Sequence, residues 1–353
     1  MEETTSNWSD FPQPLLELIL KPLTLPDHLR FASVCRSWRK AQRVTLHHPA
    51  PHAPFLIVRG LINNRISSQL FSLSEKRMEK TPVPHRFCPQ STISSSGGWL
   101  LLQDSDDTHI KFLFNPFTNT RVDLPEAEEF VHYHYCLFFS TQADPDGALL
   151  VTKSNNKFLL CRLNDQSNRT FHQVEWKRTS FISNVIFFQG KLHGLNEDGS
   201  LVLADPLFAT SEVKMGMKLQ KSRLPEWHRF QGFYLVESCG QLLLVRVLVV
   251  HTGLSFDVFR ADLTEWEWKE IENLGDRALF LSRKGSVSVC ASETGCKANR
   301  IYYVPSVIEW SLYLFKQSNG MKGIYVEFEL GKDGLDIPSI PGCDGVIGCD
   351  WLT

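Results

Sequence analysis

Apolar positions near the start of the chain recur at the spacing of a helix. The recurring positions, three or four residues apart, are Leu15, Leu16, Ile19, Leu20 and Leu23. This spacing predicts a helix with one apolar face. Pro14 suits the first turn of that helix, where its missing N–H would be unpaired anyway, and Pro22 predicts its end near Lys21.

Two further helices are predicted behind the first. One starts around Thr24–Asp27, where either end residue can cap it, and runs to Ser33. The next contains Trp38 and runs toward Val44. Three helices of about 35 residues are too few for an independent core. They therefore dock on the rest of this chain or are completed by a partner protein.

From Phe55 onward the pattern changes to short apolar runs separated by Gly, Asn, Asp and Pro, which is typical of strands and turns. Six such runs recur at intervals of about 40 to 56 residues. They are LFSL (70–73), KFLFNP (111–116), KFLLCRL (157–163), SLVLADP (200–206), SFDVFRADL (255–263) and NRIYYVP (299–305).

Other runs accompany these six. A Gly-led run precedes four of them, at 97–102, 147–151, 190–195 and 239–245. A closing run follows three of them, at 121–125, 172–176 and 266–271. A repeat of this length predicts four-stranded propeller blades, about six in number, with an irregular pair of β-sandwiches as the alternative.

The chain as a whole is predicted to be an α+β multidomain protein. Residues 1–46 form the helical module, and residues 55–353 form the all-β domain. Between them, HHPAPHAP (47–54) is rich in Pro and His and is interpreted as a linker.

The helical module resembles an F-box. That family begins with Leu-Pro, continues with Leu-Leu and Ile-Leu pairs, and later has Val-Cys-(Lys/Arg)-x-Trp-Arg. This chain has Phe11–Pro12 at the opening, where Phe11 departs from the usual Leu, and VCRSWR at 34–39. The resemblance implies contact with a Skp-family adaptor through Phe11, Pro12, Leu15, Leu16, Ile19, Leu20, Leu29, Val34, Cys35 and Trp38.

A second resemblance lies near the other end of the chain. LGDRALFLSRKGSVSV (274–289), followed by NRIYYV (299–304), is similar to a plant family that couples an F-box to a kelch-like β domain. Ser282 stands where that family tends to have Gly, and the sequence stops at Thr353, where members tend to continue. In the residues themselves, Gly275 and Asp276 predict a tight turn into a buried strand at 278–281, with Arg277 as a structural partner of a nearby carboxylate.

Together the resemblances imply the substrate-recognition subunit of a Skp–cullin–F-box ubiquitin ligase. The helices would bind the adaptor and, through it, the cullin, while the β domain would bind an unknown protein substrate. An F-box scaffold without ligase function is the alternative. A propeller enzyme is less favoured, because its candidate carboxylates lie where turns are predicted. Those carboxylates are Asp104, Asp106, Asp107, Asp144 and Asp146.

Composition limits the cellular locations and the classes of partner that are expected for this chain. The 353-residue chain has a formal net charge of −2, which favours neither nucleic acid nor a membrane surface as a partner. Its nine cysteines include no Cys-x-x-Cys, and residues 1–8 lack the pattern of a signal peptide. A reducing location, cytoplasmic or nuclear, is therefore expected.

Patterns for catalysis or metal binding are weak. His132 and His134 share a face of a predicted strand, but no third ligand follows at a suitable spacing. The Cys290/Cys296 and Cys343/Cys349 pairs are spaced more widely than zinc ligands usually are. We therefore expect no cofactor, no metal and no catalytic residue. An exposed substrate-binding loop is the weakest candidate site, at Trp227, His228, Arg229 and Phe230.

Overall fold

The fold is given by a computed structural model. It describes residues 8, 11–20, 23, 27, 31–32, 34–45, 53–62, 65–80, 92–96, 98–103, 107, 111–115, 120–125, 133–141, 144–153, 157–163, 171–175, 182–196, 199–204, 229–250, 253–283, 285–305, 325–332, 335–336 and 346–352.

Two helices of the N-terminal module have defined bounds. Helix α1 spans Gln13–Leu20, and the amides of Leu15 and Leu16 donate to the carbonyl of Pro12, which makes Pro12 the N-cap. Helix α2 spans Arg36–Thr45 and begins after Cys35, whose carbonyl accepts from the amide of Arg39. Helical backbone also occurs at 27 and 31–32, within the predicted second helix, and at 34, just after its predicted end. The predicted first and third helices are confirmed.

The first two sheets contain the first seven strands, all antiparallel to their neighbours. The first sheet begins with β1 (Phe55–Ile62), β2 (Arg65–Ser72) and β3 (Arg77–Lys80). The second sheet consists of β4 (Thr92–Ser96), β5 (Trp99–Gln103), β6 (Lys111–Asn115) and β7 (Thr120–Asp123).

The next three sheets are antiparallel in the same way. The third consists of β8 (Tyr133–Thr141), β9 (Asp144–Lys153), β10 (Lys157–Arg162) and β11 (Phe171–Glu175). In the fourth, the described residues form β12 (Ile182–Phe188), β13 (Lys191–Asn196) and β14 (Leu201–Ala204). The fifth consists of β15 (Arg229–Ser238), β16 (Gln241–Val250), β17 (Gly253–Asp262) and β18 (Glu267–Ile271).

The sixth sheet departs from this pattern. Its elements are β19 (Arg277–Ser282), β20 (Gly285–Cys290), the short helix α3 (Ala291–Thr294), β21 (Arg300–Tyr303), β22 (Val326–Glu329) and β23 (Leu335–Asp336). The strand order is β20-β19-β21-β22-β23, and β19 and β21 run parallel. A parallel pair needs a crossover, which β20 and α3 provide here.

The last strand, β24 (Val346–Leu352), returns to the first sheet. It pairs with β1 in antiparallel register, with Leu352 opposite Phe55 and Trp351 opposite Leu56, so the sheet order is β24-β1-β2-β3. One edge strand of each sheet lies beside an edge strand of the next. The neighbouring pairs are β24 and β4, β4 and β8, β8 and β12, β12 and β15, β15 and β20, and β20 and β24.

The predicted strand repeat is confirmed. Its six apolar runs correspond to β2, β6, β10, β14, β17 and β21, and each belongs to a different sheet. The Gly-led runs correspond to β5, β9, β13 and β16, and each pairs with the apolar run that follows it. The three closing runs correspond to the outer strands β7, β11 and β18.

A hairpin of one design recurs in two sheets. Between β2 and β3, the Ser72 hydroxyl accepts the amide of Glu75, and Lys76 has a φ of 51°. Between β17 and β18, a carboxylate oxygen of Asp262 accepts the amide of Glu265, and Trp266 has a φ of 57°. A polar residue at the strand end caps the turn in both cases, and the residue four positions later takes the left-handed conformation.

Trp351 is the largest fully buried side chain among the described residues. Its ring meets Phe280 edge-on at 4.9 Å and lies 5.7 Å from Tyr325, both in or beside the sixth sheet. Leu56, Val58 and other residues of the first sheet belong to the same core cluster. One side chain of β24 therefore fills the core between the first and sixth sheets.

The turn at Gly275 ties together several segments of the sixth sheet. Gly275 has a φ of 63°, and its carbonyl accepts the amide of Asn299. The Asp276 carboxylate accepts hydrogen bonds from both the hydroxyl and the amide of Ser292 in α3. These bonds, and the hydroxyl bond most of all, hold the pKa of Asp276 below its usual range. Residues 278–281 are fully buried, so the predicted strand is confirmed.

No helix among the described residues is long and apolar enough to cross a membrane.

Trp351 gives a stability prediction. Replacing it by Ala should lower the free energy of unfolding of the β domain by about 3 to 5 kcal/mol, because it leaves a large cavity between two sheets. Trp8→Ala, at a side chain that is 63% exposed, is the control and should change stability by less than about 0.5 kcal/mol. Urea unfolding followed by circular dichroism measures both. Equal effects would show that Trp351 does not hold this core.

His193 gives a pH prediction. The ring is 2% exposed in β13, packs edge-on against Phe188 at 5.5 Å, and burial lowers its pKa from 6.5 to about 4. The unfolded chain therefore binds the proton more readily than the folded chain between those two values. The contribution of the neutral ring is complete above pH 6.5 and is lost as pH falls toward 4, by up to about 3 kcal/mol.

The check is the difference in unfolding free energy between the native chain and His193→Gln, measured from pH 7 to about pH 4. This difference should shift steadily across the window, because only the native chain has the buried titrating ring. A constant difference would contradict the assignment.

Candidate docking surface on the N-terminal helices

The N-terminal module has a small core of its own. Leu16 and Leu20 on α1 pack with Phe31 and with Ala41 on α2, and all four are at most 5% exposed. Phe11, Leu23 and Trp38 pack around this cluster and stay partly exposed. The core fixes α1 against α2 and so determines which face of α1 points outward.

An aromatic group joins the start of the module to α2. The Trp38 indole N–H donates to the carbonyl of Trp8 at 2.9 Å. Trp8 stacks on Phe11 at 5.5 Å, and Trp38 lies 4.2 Å from Phe31. Phe11, the departure from the usual Leu, is therefore held by ring stacking and by the core below it.

The outward face of the module is apolar. Among the residues whose side-chain exposure the structure describes, every exposed large hydrophobic side chain lies in this module. These side chains are Trp8 (63% exposed), Leu15 (44%), Leu18 (57%), Ile19 (38%) and Val34 (56%). Pro12 is exposed beside them. We call these six residues the apolar patch.

One side of α1 is apolar, as predicted, because Leu15, Leu16, Ile19 and Leu20 fall within about 140° of the helix circumference. Leu16 and Leu20 are buried in the module, whereas Leu15 and Ile19 lie on the exposed flank of the same face and Leu18 is exposed beyond it. The apolar face of α1 is therefore wider than the part that the module buries, because two rows of apolar residues run side by side along the helix. A polar outer face would be expected if α1 were only part of a folded core.

The predicted adaptor-binding residues fall into two groups. Pro12, Leu15, Ile19 and Val34 are exposed, and Phe11, Cys35 and Trp38 are partly exposed. Leu16 and Leu20 are buried, so in this packing they position α1 and offer no surface to a partner. Leu29 lies outside the described residues. The assignment of this set to adaptor binding stays a prediction.

Two residues of the patch were not predicted. Leu18 lies three positions after Leu15 and one before Ile19, so the helical spacing itself could have indicated it. Trp8 precedes α1, and no periodic pattern indicates its exposure.

Cys35 lies at the N-terminal end of α2. Its sulfur is 3.1 Å from the Ser37 hydroxyl, and this hydrogen bond, followed by one to the amide of Trp38, lowers the pKa of the thiol. Free backbone amides at a helix start favour the thiolate in this way. Cys35 is therefore held in a polar environment at the start of α2, next to the exposed Val34.

Two of the four weak candidates in the β domain lie in a strand and not in a loop, and their assignment to substrate binding stays a prediction. Arg229 and Phe230 are the first residues of β15 and pair with Val249 and Leu248, so for them the loop interpretation is wrong. The Pro-flanked context suggested a loop, but pairing with the long strand β16 decides the conformation. Trp227 and His228 lie outside the described residues.

Two other interpretations are resolved. Asp144 and Asp146 lie in β9 and not in a turn, because β9 begins at Asp144, opposite Thr141. Asp107 is exposed, whereas Asp104 and Asp106 lie outside the described residues. Arg277 donates to the Ser288 hydroxyl at 3.0 Å, so its partner in β20 is a hydroxyl and not a carboxylate.

The described residues contain no group of three or more His, Cys, Asp or Glu side chains placed to hold a metal ion. His134 lies in β8, whereas His132 and Cys343 lie outside the described part of the chain. Cys290 and Cys296 are free thiols.

Comparison with known proteins identifies the class. A family model described as the KIB1-4 beta-propeller matches residues 70–326, and one described as the F-box domain matches residues 8–44. The chain therefore belongs to the KIB1-4 beta-propeller family and has an N-terminal F-box. F-box domains generally bind Skp adaptors.

The curated relatives are F-box proteins of Arabidopsis thaliana. F-box/kelch-repeat protein At1g57790 is 25% identical over 86% of this chain and 84% of its own length. F-box protein SKIP23 is 26% identical over 81% of each chain. Among solved structures, the β-propeller domain of Myceliophteria thermophila Cps50 (Swd1) is 9% identical over 82% of this chain and 97% of its own, with a TM-score of 0.41. That score is too low to support a conclusion.

Two adjacent leucines on α1 allow the effect of a buried side chain on stability to be compared with that of an exposed one. Leu16→Ala should destabilise the helical module by about 2 to 5 kcal/mol, because Leu16 is 1% exposed in its core. Leu15→Ala removes the same atoms from a side chain that is 44% exposed and should cost less than about 0.5 kcal/mol. Amide hydrogen exchange over residues 11–45 measures both. Similar protection in the two variants would contradict the division of the apolar face into a buried row and an exposed row.

Proposed function

We propose that this chain is the substrate-recognition subunit of a Skp–cullin–F-box E3 ubiquitin ligase. The observation that supports it is that the exposed large hydrophobic side chains all lie in the F-box, among the residues whose side-chain exposure the structure describes. A monomeric soluble protein rarely leaves such a patch uncovered, and each Leu or Ile buried by a partner contributes about 1.5 to 3 kcal/mol. The patch is thus suited to a permanent apolar contact with a Skp-family adaptor.

We further infer that the β domain is a six-bladed propeller in which each sheet is one blade. The adjacent edge strands support this, because they follow one another from the first sheet to the sixth and back to β24. In such a ring β24 is the innermost strand of the first blade. The blade loops would bind a protein substrate, as loops on a rigid scaffold commonly do.

In the proposed role, this chain brings a substrate close to the ubiquitin-conjugating enzyme and carries out no covalent chemistry itself. The F-box fixes the adaptor, the adaptor reaches the cullin, and the β domain holds the substrate. Holding both ends in one complex raises the effective concentration of a substrate lysine near the ubiquitin-conjugating enzyme. The complex would act in the cytoplasm or the nucleus.

The test is adaptor binding by a double variant of the full chain, Pro12→Ser with Ile19→Asn. Both side chains are exposed, so the fold should persist while affinity for a purified Skp-family adaptor falls by at least about 100-fold. The matched control is Gln13→Ser with Glu17→Gln, a polar pair on the same helix that should bind like the native chain. Unchanged affinity in the first variant would overturn the interface.

A second measurement separates a ligase receptor from a scaffold. Proteins captured by the β domain are compared in cells that express the native chain and in cells that express the Pro12→Ser, Ile19→Asn variant. A ligase receptor predicts that at least one captured protein is longer-lived with the variant. Equal lifetimes for all of them would support a scaffold without ligase function.

A further inference from the structure

The outer face of α2 is a continuous basic stripe. Arg36, Arg39, Lys40 and Arg43 recur at intervals of three and four residues and so occupy one side of the helix. The first three side chains are exposed, whereas Ala41, on the opposite side, is fully buried. We call these four residues the basic stripe.

The three exposed cations of this stripe have no carboxylate partner among the described residues. Helix α2 contains no Asp or Glu. For Arg36, Arg39 and Lys40, the contacts within the described residues include no ion pair, and the Arg39 guanidinium donates to a backbone carbonyl, that of Ala32. Residues 8–44 contain six Lys or Arg and three Asp or Glu, a formal charge of +3, whereas the whole chain has −2. The F-box is therefore a basic module on an otherwise acidic chain.

The basic stripe borders the apolar patch. The hydrogen bond from Arg39 to Ala32, at 3.1 Å, places its guanidinium beside the segment that contains Val34. Val34 is 56% exposed and belongs to the patch, and Arg36 follows it by two residues. A partner that covers Val34 thus comes close to at least two of the positive charges.

We propose that the basic stripe contacts a carboxylate-rich surface of the adaptor that covers the apolar patch, and that this contact accelerates the encounter. The inference rests on the proposed function and adds the charge of the partner surface. Complementary charge at the rim of an apolar contact mainly raises the association rate, whereas the apolar contact sets the lifetime of the complex. Continuity with an apolar patch favours a protein surface over nucleic acid, which would need no such patch.

The test is the association rate of the full chain with a purified Skp-family adaptor, measured by stopped-flow for Arg36→Gln with Lys40→Gln. The matched control, Arg260→Gln with Arg283→Gln, removes the same charge from exposed positions of the β domain. At about 20 mM salt the stripe variant should associate about 10-fold more slowly than the native chain, and at about 500 mM salt the two should converge. The charge-keeping variant Arg36→Lys with Lys40→Arg should retain the native rate.

Each other outcome is decisive. An unchanged association rate for the stripe variant, or an equally reduced rate for the β-domain control, would overturn the proposed contact of the basic stripe. Either result would leave the proposed function intact. Failure of the native chain to bind the adaptor at any salt would overturn both. If the stripe variant loses binding to a single-stranded oligonucleotide at about 150 mM salt but associates normally with the adaptor, the stripe serves nucleic acid and the inference is wrong.

Discussion

Pairing between β1 and β24 is the interaction on which the rest of the β domain depends. It joins segments about 290 residues apart, and the closure entropy of so long a loop must be offset by what the contact buries. Trp351 supplies much of that burial, because it enters the core shared with Phe280 while its backbone pairs with Leu56. Without this pair, the first and sixth sheets would expose their facing cores to water.

The sequence predicts local strands far better than the partners of those strands. A run such as KFLFNP ends in a polar turn and so defines β6 from its own residues. The same rule identified the runs that became β14 and β17. The parallel pairing of β19 with β21 and the return of β24 to β1 depend on contacts between distant segments, and no local period encodes them.

The sequence predicts the docking surface only in part, because its exposed residues also depend on contacts between distant segments. Helical spacing places Leu15 and Leu16 on one helix but does not predict which of these two side chains is buried. The core formed with Phe31 and Ala41 decides it, and that core depends on how α1 packs against α2. In the β domain, the Pro-rich flank of Arg229 predicts a loop, yet pairing with Val249 places Arg229 in a strand.

Closure by β24 also has a consequence for synthesis. The F-box leaves the ribosome first, whereas β24 follows β1 by about 290 residues, which takes roughly 15 to 60 s at ordinary elongation rates. During that interval α1 and α2 can already form a surface for the adaptor, although the first sheet still lacks its edge strand. The helical surface of the F-box can thus form before the first sheet is complete, and the core between the first and sixth sheets stays open until translation reaches Trp351.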